Sequence, residues 1–383
     1  MFNKSPDLFP VKNHLAYISH CSISALYAPA QNQAAEVLTA QTQRGILGNM
    51  EYSSVLDSLR THLASILKTE PDNCAFIKNT SEGMGMIANG FPFKPGDEII
   101  SYIHEYPSNH YPWRLQENRG VTLRLLPNQN MARKAETSRP CGWSIDDLEA
   151  QLTPNTRMVA ISHVQFSSGF AADLRQLGDL CRRNNIHLVV DAAQSLGCLP
   201  LTPEEWNISA LVASGWKWLL GPVGTGVMFT TPAFREELGH VLTGAELMRQ
   251  DSDYLNHTWD PHCSARRFEY STSHMALAAA LDTCLREIHA FYGVHALQTE
   301  TFRLQDMLIQ GLDPNKYTPL VFADNHRSGI LSLICHHQEP EAVQEQLKGQ
   351  GVVASARSGY LRLAPFFSNT EEEMEKTISA LNA

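Results

Sequence analysis

Between about residues 75 and 230, short runs of β-branched and large apolar residues alternate with segments of helical periodicity, which constrains the fold more than any other feature of the chain. The runs are EIISYI (98–103), VTLRLL (121–126), RMVAISHV (157–164), IHLVV (186–190), SALVAS (209–214) and GVMFT (226–230). Strands that keep returning after helix-length interruptions predict an α/β fold with a mainly parallel, helix-covered sheet. DLRQLGDLCRRN (173–184) puts Leu174, Leu177, Leu180 and Cys181 on one helical stripe and fits a crossover helix.

Beyond about residue 275 the pattern changes to a long helical stretch, MALAAALDTCLREIHAFYG, a strand-like ILSLICHH and a final TEEEMEKTISALNA. The expected organisation is an N-terminal arm over residues 1–20, a large α/β domain over 21–275 and a smaller α+β C-terminal domain over 276–383. In the last segment Thr370 and Glu373 have capping-box spacing, and Met374, Ile378 and Leu381 share a face, so the acidic run before them reads as a solvated helix start.

Composition narrows the partners. A length of 383 residues, 43% of them hydrophobic, suffices for two cores. The net charge of -10, without any run of Lys/Arg, argues against nucleic acid. No uninterrupted apolar run is long enough to span a bilayer, and the first residues lack the apolar core of a signal peptide. The eight cysteines have no CxxC pair and no zinc spacing, so no metal is expected and they read as reduced thiols of a cytoplasmic protein. A small-molecule partner remains.

Three segments carry the chemistry. KNTSEGMGMIANG (78–90) has N-cap and N3 spacing at Asn79 and Glu82, so a helix is expected to begin there with free N–H groups that attract phosphate; Gly83 and Gly85 would let the backbone come close. Alone, an ordinary capped helix accounts for it. IHLVVDAAQSLG (186–197) is an apolar strand ending in Asp191, at the carboxyl end where parallel sheets bind ligands. ASGWKWLLGPVGTG (213–226) sets Lys217 between two tryptophans, an apolar setting for a strongly hydrated cation. Its glycines match neither GxGxxG nor a phosphate-binding P-loop, although a plain glycine turn beside an exposed lysine is the simpler reading of that segment alone. A strand-end Asp, a desolvated Lys and a phosphate-cradling helix together meet the demands of pyridoxal 5'-phosphate bound as a Schiff base.

The chain resembles the fold-type-I pyridoxal-phosphate enzymes of aminotransferase class V, a group with cysteine desulfurases, kynureninases and isopenicillin N epimerases. The likeness runs from AYISHCS (16–22) to LRLAPFFSNTEEE (361–373). It implies Lys217 as the Schiff-base lysine and Asp191 as the pyridinium partner, from SGWKWLLGP and VDAAQSLG. Gln194 would contact the phenolic oxygen, Thr80, Ser81 and Ser214 the phosphate side, and Tyr106, from EYPSNHYPW, would stack on the ring. Thr272, from RRFEYSTS, would reach the phosphate of a neighbouring subunit, which implies a homodimer. Arg362 stands where the family grips the α-carboxylate of an amino acid substrate.

Three departures matter. Trp216 replaces the histidine that usually precedes the lysine, and Phe166 an asparagine near the phenolic oxygen, leaving Gln194 alone or with Gln165. GVVASARSGYLRL (351–363) lacks the nucleophilic cysteine of the desulfurases, and Cys335 reads as core, which excludes persulfide-forming desulfuration. The expected activity is transamination or β-elimination, with a racemase or epimerase like isopenicillin N epimerase as an alternative. An inactive cofactor-binding scaffold and a nucleotide-dependent oxidoreductase are the rivals from other classes. His20, Cys21, Tyr52, His104, Arg357 and residues 239–250 are further candidates to face substrate.

Overall fold

The computed structural model describes residues 2–133, 135–250 and 252–383. Seven strands form the main sheet: β1 (Cys74–Ile77), β2 (Glu98–Tyr102), β3 (Thr122–Leu126), β4 (Thr156–Ser162), β5 (His187–Asp191), β6 (Ala210–Ser214) and β7 (Gly226–Thr230). Their order across the sheet is β1-β7-β6-β5-β4-β2-β3. All neighbours are parallel except β7, which runs antiparallel to both β1 and β6. The strand runs legible in the sequence all appear, each within a residue or two of the expected ends, and GVMFT is the reversed strand.

Both faces of the sheet are buried, as continuous apolar strands require. Odd and even positions separate cleanly. Val159, Ile161, Leu188, Val190 and Leu211 face α2 (Val55–Leu67), α4 (Leu174–Arg183) and α5 (Met275–Cys284), on which α1 (Ala28–Arg44) packs. Met158, Ala160, Val189, Ala210 and Val212 face α3 (Thr80–Gly90). In α4 the stripe Leu174, Leu177, Leu180 and Cys181 is buried as its spacing predicts, with Asp173 capping the helix through Gln176.

The C-terminal part holds a four-stranded antiparallel sheet of β8 (Tyr317–Pro319), β9 (Leu331–Cys335), β10 (Ser355–Arg357) and β11 (Tyr360–Leu363), ordered β10-β11-β9-β8. Helices α6 (Val294–Gly311), α7 (Pro340–Gly349) and α8 (Glu371–Asn382) cover it. The capping box of Thr370 and Glu373 forms at the start of α8. Two long-range contacts bring the chain's beginning here: Ala16–Tyr17 pairs in parallel with Val352–Val353, and Ala16 and Ile18 join the C-terminal core.

Candidate functional site

β5 delivers Asp191 at its carboxyl end, and β6 delivers Ser214 at the same edge, three residues before Lys217. The chain then turns sharply. Leu220 adopts φ 59° and its N–H bonds back to the Lys217 carbonyl at 3.0 Å, while Gly221 bonds to Gly215 at 2.8 Å. A Cβ on Gly215 would sit 2.2 Å from Thr225 Oγ1, so the turn closes because that position carries no side chain. Ser24 holds the segment from the far side, its Oγ donating to the Lys217 carbonyl at 2.6 Å.

These residues line a cavity of about 590 Å³ shared with Thr80, Ser81, Tyr106, Gln194 and Arg362. Eight of the nine residues read from the sequence therefore converge; Thr272 does not. It is exposed and lines a separate hollow with Lys78, Glu82, Gly224 and Tyr270. Cys21 and Arg357 also line the cavity, whereas His20, Tyr52, His104 and residues 239–250 do not. His20 is buried instead, bonded through Nδ1 to the Ala364 carbonyl and stacked on Trp218.

The electrostatics follow from burial. Desolvation holds the Lys217 amine below its ordinary pKa, opposed by Asp191 and Cys21 and reinforced by the positive charges of Arg362 and Arg357. Desolvation likewise raises Asp191, although the Ala193 N–H bonds its Oδ1 at 2.9 Å and Lys217 favours its anion. Lys217 Nζ lies 5.5 Å from the centre of the Tyr106 ring.

The helix at residue 80 forms as its cap predicts. Asn79 Oδ1 accepts from the Glu82 N–H at 2.9 Å, but Glu82 reaches back to the Lys78 N–H rather than to Asn79. The glycines act differently from the expectation. A Cβ on Gly83 would meet Val212 Cγ1 at 2.6 Å and Ile77 Cδ1 at 2.8 Å, so Gly83 seats α3 on the sheet; beside Gly85 there is nothing within 4 Å. Gly226 lets Asn79 approach β7, its missing Cβ lying 3.1 Å from the Asn79 backbone. The Thr80 and Ser81 N–H groups have no intrahelical acceptor, and both residues line the cavity with Ser214.

Several polar atoms are oriented but unused. Ser214 Oγ and Arg362 Nε are buried without a hydrogen-bond partner among the described residues. Arg362, 2% exposed, donates from Nη2 to Ser22 Oγ and Ser355 Oγ at 3.2 and 3.0 Å, and from Nη1 to the Phe166 carbonyl. Gln194 donates to the Cys21 carbonyl at 2.9 Å and accepts from Trp218 Nε1 at 3.3 Å, which leaves one amide hydrogen. Gln165 turns away from the cavity, its Nε2 bonding Glu105, so of the two alternatives Gln194 stands there without it. Trp216 lines the wall and Phe166 packs edge-on against Tyr106 at 5.2 Å.

Glu105 escaped the sequence reading. It is buried beneath the cavity floor, accepting from the Ser162 N–H at 2.8 Å and bonded to Ser162 Oγ, with its pKa pushed up to about 7 by desolvation. Its flanks, HEYPSNH, look like a surface loop, and no local pattern marks the burial. Cys335, on β9, is half-buried against the C-terminal core and outside the cavity.

The residues fit pyridoxal phosphate: an amine, a carboxylate, an unpartnered hydroxyl beside free helix amides, and a buried guanidinium with an open N–H. The comparisons agree. A probable cysteine desulfurase of Pyrococcus abyssi is 27% identical over 72% of this chain and 66% of its own length. An uncharacterized aminotransferase of Bacillus subtilis, YcbU, is 23% identical over 98% of this chain and 96% of its own. The cystine C-S lyase C-DES, solved with its product cysteine persulfide, superposes with a TM-score of 0.87 at 21% identity over 98% of this chain and 99% of its own. A variant of that lyase carries glycine covalently linked to its PLP cofactor. The family model for aminotransferase class-V matches residues 30–376, and the chain belongs to that family.

Proposed function

We propose that the protein is a pyridoxal-phosphate-dependent enzyme acting at the α-carbon of an amino acid, as a transaminase or a β-eliminating lyase. The observation that carries this is the convergence of a desolvated Lys217 amine and a buried Asp191 carboxylate in one cavity. When bound, the coenzyme supplies an electron sink for heterolysis at the substrate α-carbon.

The chain supplies the rest. Lys217 Nζ would hold the coenzyme and serve as the base that moves the α-proton, a role that its desolvation, which lowers its pKa, favours. Asp191 would pair with the ring nitrogen. Thr80, Ser81 and Ser214 receive the phosphate at the N-terminus of α3. Tyr106 covers the ring, Gln194 offers its remaining amide hydrogen to the phenolic oxygen, and Arg362 orients the α-carboxylate through its open Nε–H. Thr272 acts across a homodimer, which its absence from its own chain's cavity supports. The reading as a lyase without a desulfurase's nucleophile draws on the lack of cysteine in residues 351–363, and C-DES, of the same fold, is named as a C-S lyase. Eight unpaired cysteines support a cytoplasmic setting, and no helix among the described residues is long and apolar enough to cross a membrane.

Borohydride reduction followed by peptide mapping tests the assignment, with the coenzyme mass expected on the Lys217 peptide. A label on another lysine, or none, overturns it. A panel of L- and D-amino acids, read by absorbance and product identity, then separates keto acid, eliminated fragment and epimer.

A further inference from the structure

The same cavity holds a cation that the reading above leaves without a task. Arg357 is exposed at the cavity wall, and among the described residues no hydrogen bond or ion pair engages its guanidinium. Arg44, Arg60, Arg124, Arg175, Arg303 and Arg327, by contrast, each meet a carboxylate.

The hairpin fixes where Arg357 stands. Ser355 of β10 lies directly opposite Arg362 of β11, and Arg357 opposite Tyr360. Directly opposed residues share a face, and so do residues two apart on one strand, so Ser355, Arg357 and Arg362 project from the same side of the sheet. Arg357 and Arg362 are thus diagonal neighbours, a spacing of about 7–8 Å, within reach of long side chains. The two-residue turn between the strands, Ser358 at φ 52° and Gly359 at φ 81°, holds this register. Arg139 anchors the turn by donating to the Gly359 carbonyl.

Two guanidiniums on one face, one buried and partly committed, the other open to solvent, make a paired anion receptor. Arg362 takes the α-carboxylate in the reading above, on which this inference rests. We infer that Arg357 binds a second anionic group on the substrate side chain, so that the site selects amino acids with an acidic side chain, of the aspartate and glutamate type. Arginine suits the task because its planar fork meets a carboxylate at two points.

The test uses the purified holoprotein. Calorimetric titration with succinate, which cannot react, is compared with propionate, which has one carboxylate; L-aspartate is compared with L-asparagine by absorbance. Succinate and L-aspartate are expected to bind at least about tenfold tighter than their singly charged counterparts, the scale of one charge-assisted contact. Arg357→Gln is expected to abolish that preference while leaving propionate and L-alanine within about twofold, and Arg357→Lys to restore part of it. Equal binding of succinate and propionate, or equal weakening of all ligands in Arg357→Gln, overturns the inference. Failure of the coenzyme reading is separate: it would appear as a missing Lys217 label, whereas succinate selectivity is read without any reaction.

Discussion

Glu105 is the residue whose chemistry the sequence conceals most. Its carboxyl is fully enclosed and shares Ser162 with the strand that pairs Ser162 against Asp191. With a pKa of about 7 in the folded protein against an ordinary 4.5, it is protonated in the native state over a window where the unfolded chain has already ionised. The sign follows. Its contribution is fully present below pH 4.5 and is lost as pH rises through 7, a swing of roughly 3 kcal/mol. Glu105→Gln, which keeps the acceptor toward the Ser162 N–H, is expected to remove that part of the pH dependence; denaturant melts at pH 5 and pH 7.5 measure it. Asp191→Asn is expected to lower turnover by about two orders of magnitude, the scale of one lost preorganised electrostatic contact, and steady-state kinetics with matched coenzyme content checks it.

Residues at strand ends were readable because position carries meaning there: Asp191 closes an apolar run, and Lys217 follows another at fixed distance. Glu105, Ser162 and Ser22 were not, since their roles arise from chain segments that meet only in three dimensions. The choice between Gln194 alone and Gln194 with Gln165 stayed open for the same reason, the neighbour of Gln165 in space being Glu105 rather than the cavity.

At the scale of elements, α3 shows how a correct helix can be given a wrong rationale. Its start, cap and burial follow from NTSE, yet Gly83 is a packing residue and Gly85 faces open space. The two glycines therefore part in their predicted response. Gly83→Ala forces α3 off Val212 and Ile77 and is expected to cost about 1–3 kcal/mol, with weaker coenzyme retention because the helix N-terminus moves. Gly85→Ala meets nothing and should stabilise by up to about 1 kcal/mol through helix propensity. Urea denaturation of both variants decides the matter, and equal effects would contradict it. β7 offers the converse lesson. Its composition gave its existence, but direction is set by the turn after Lys217, which returns the chain at once and leaves no length for a crossover.

For the whole molecule, alternating periodicity made the parallel sheet legible and the later strand-like ILSLICHH the smaller α+β part, as the seven strands and the separate antiparallel sheet bear out. The pairing of Ala16–Tyr17 with Val352–Val353 was not legible, because two-residue strands have no period and their partner lies at the other end of the chain. The cavity is lined from Cys21 to Arg362, so its ligands tie distant segments together. Stripping the coenzyme is accordingly expected to lower the melting temperature, and adding pyridoxal phosphate back to restore it in a concentration-dependent way. Calorimetric scans across a titration follow both.

β7 lies between β1 and β6, so the first strand of the sheet has no bonded neighbour until the last is made. As the chain is made from its N-terminus, Cys74–Ile77 stays unpaired while β2 to β6 are synthesised. That edge is closed only when Gly226–Thr230 emerges, and until then it is open to pairing with another chain.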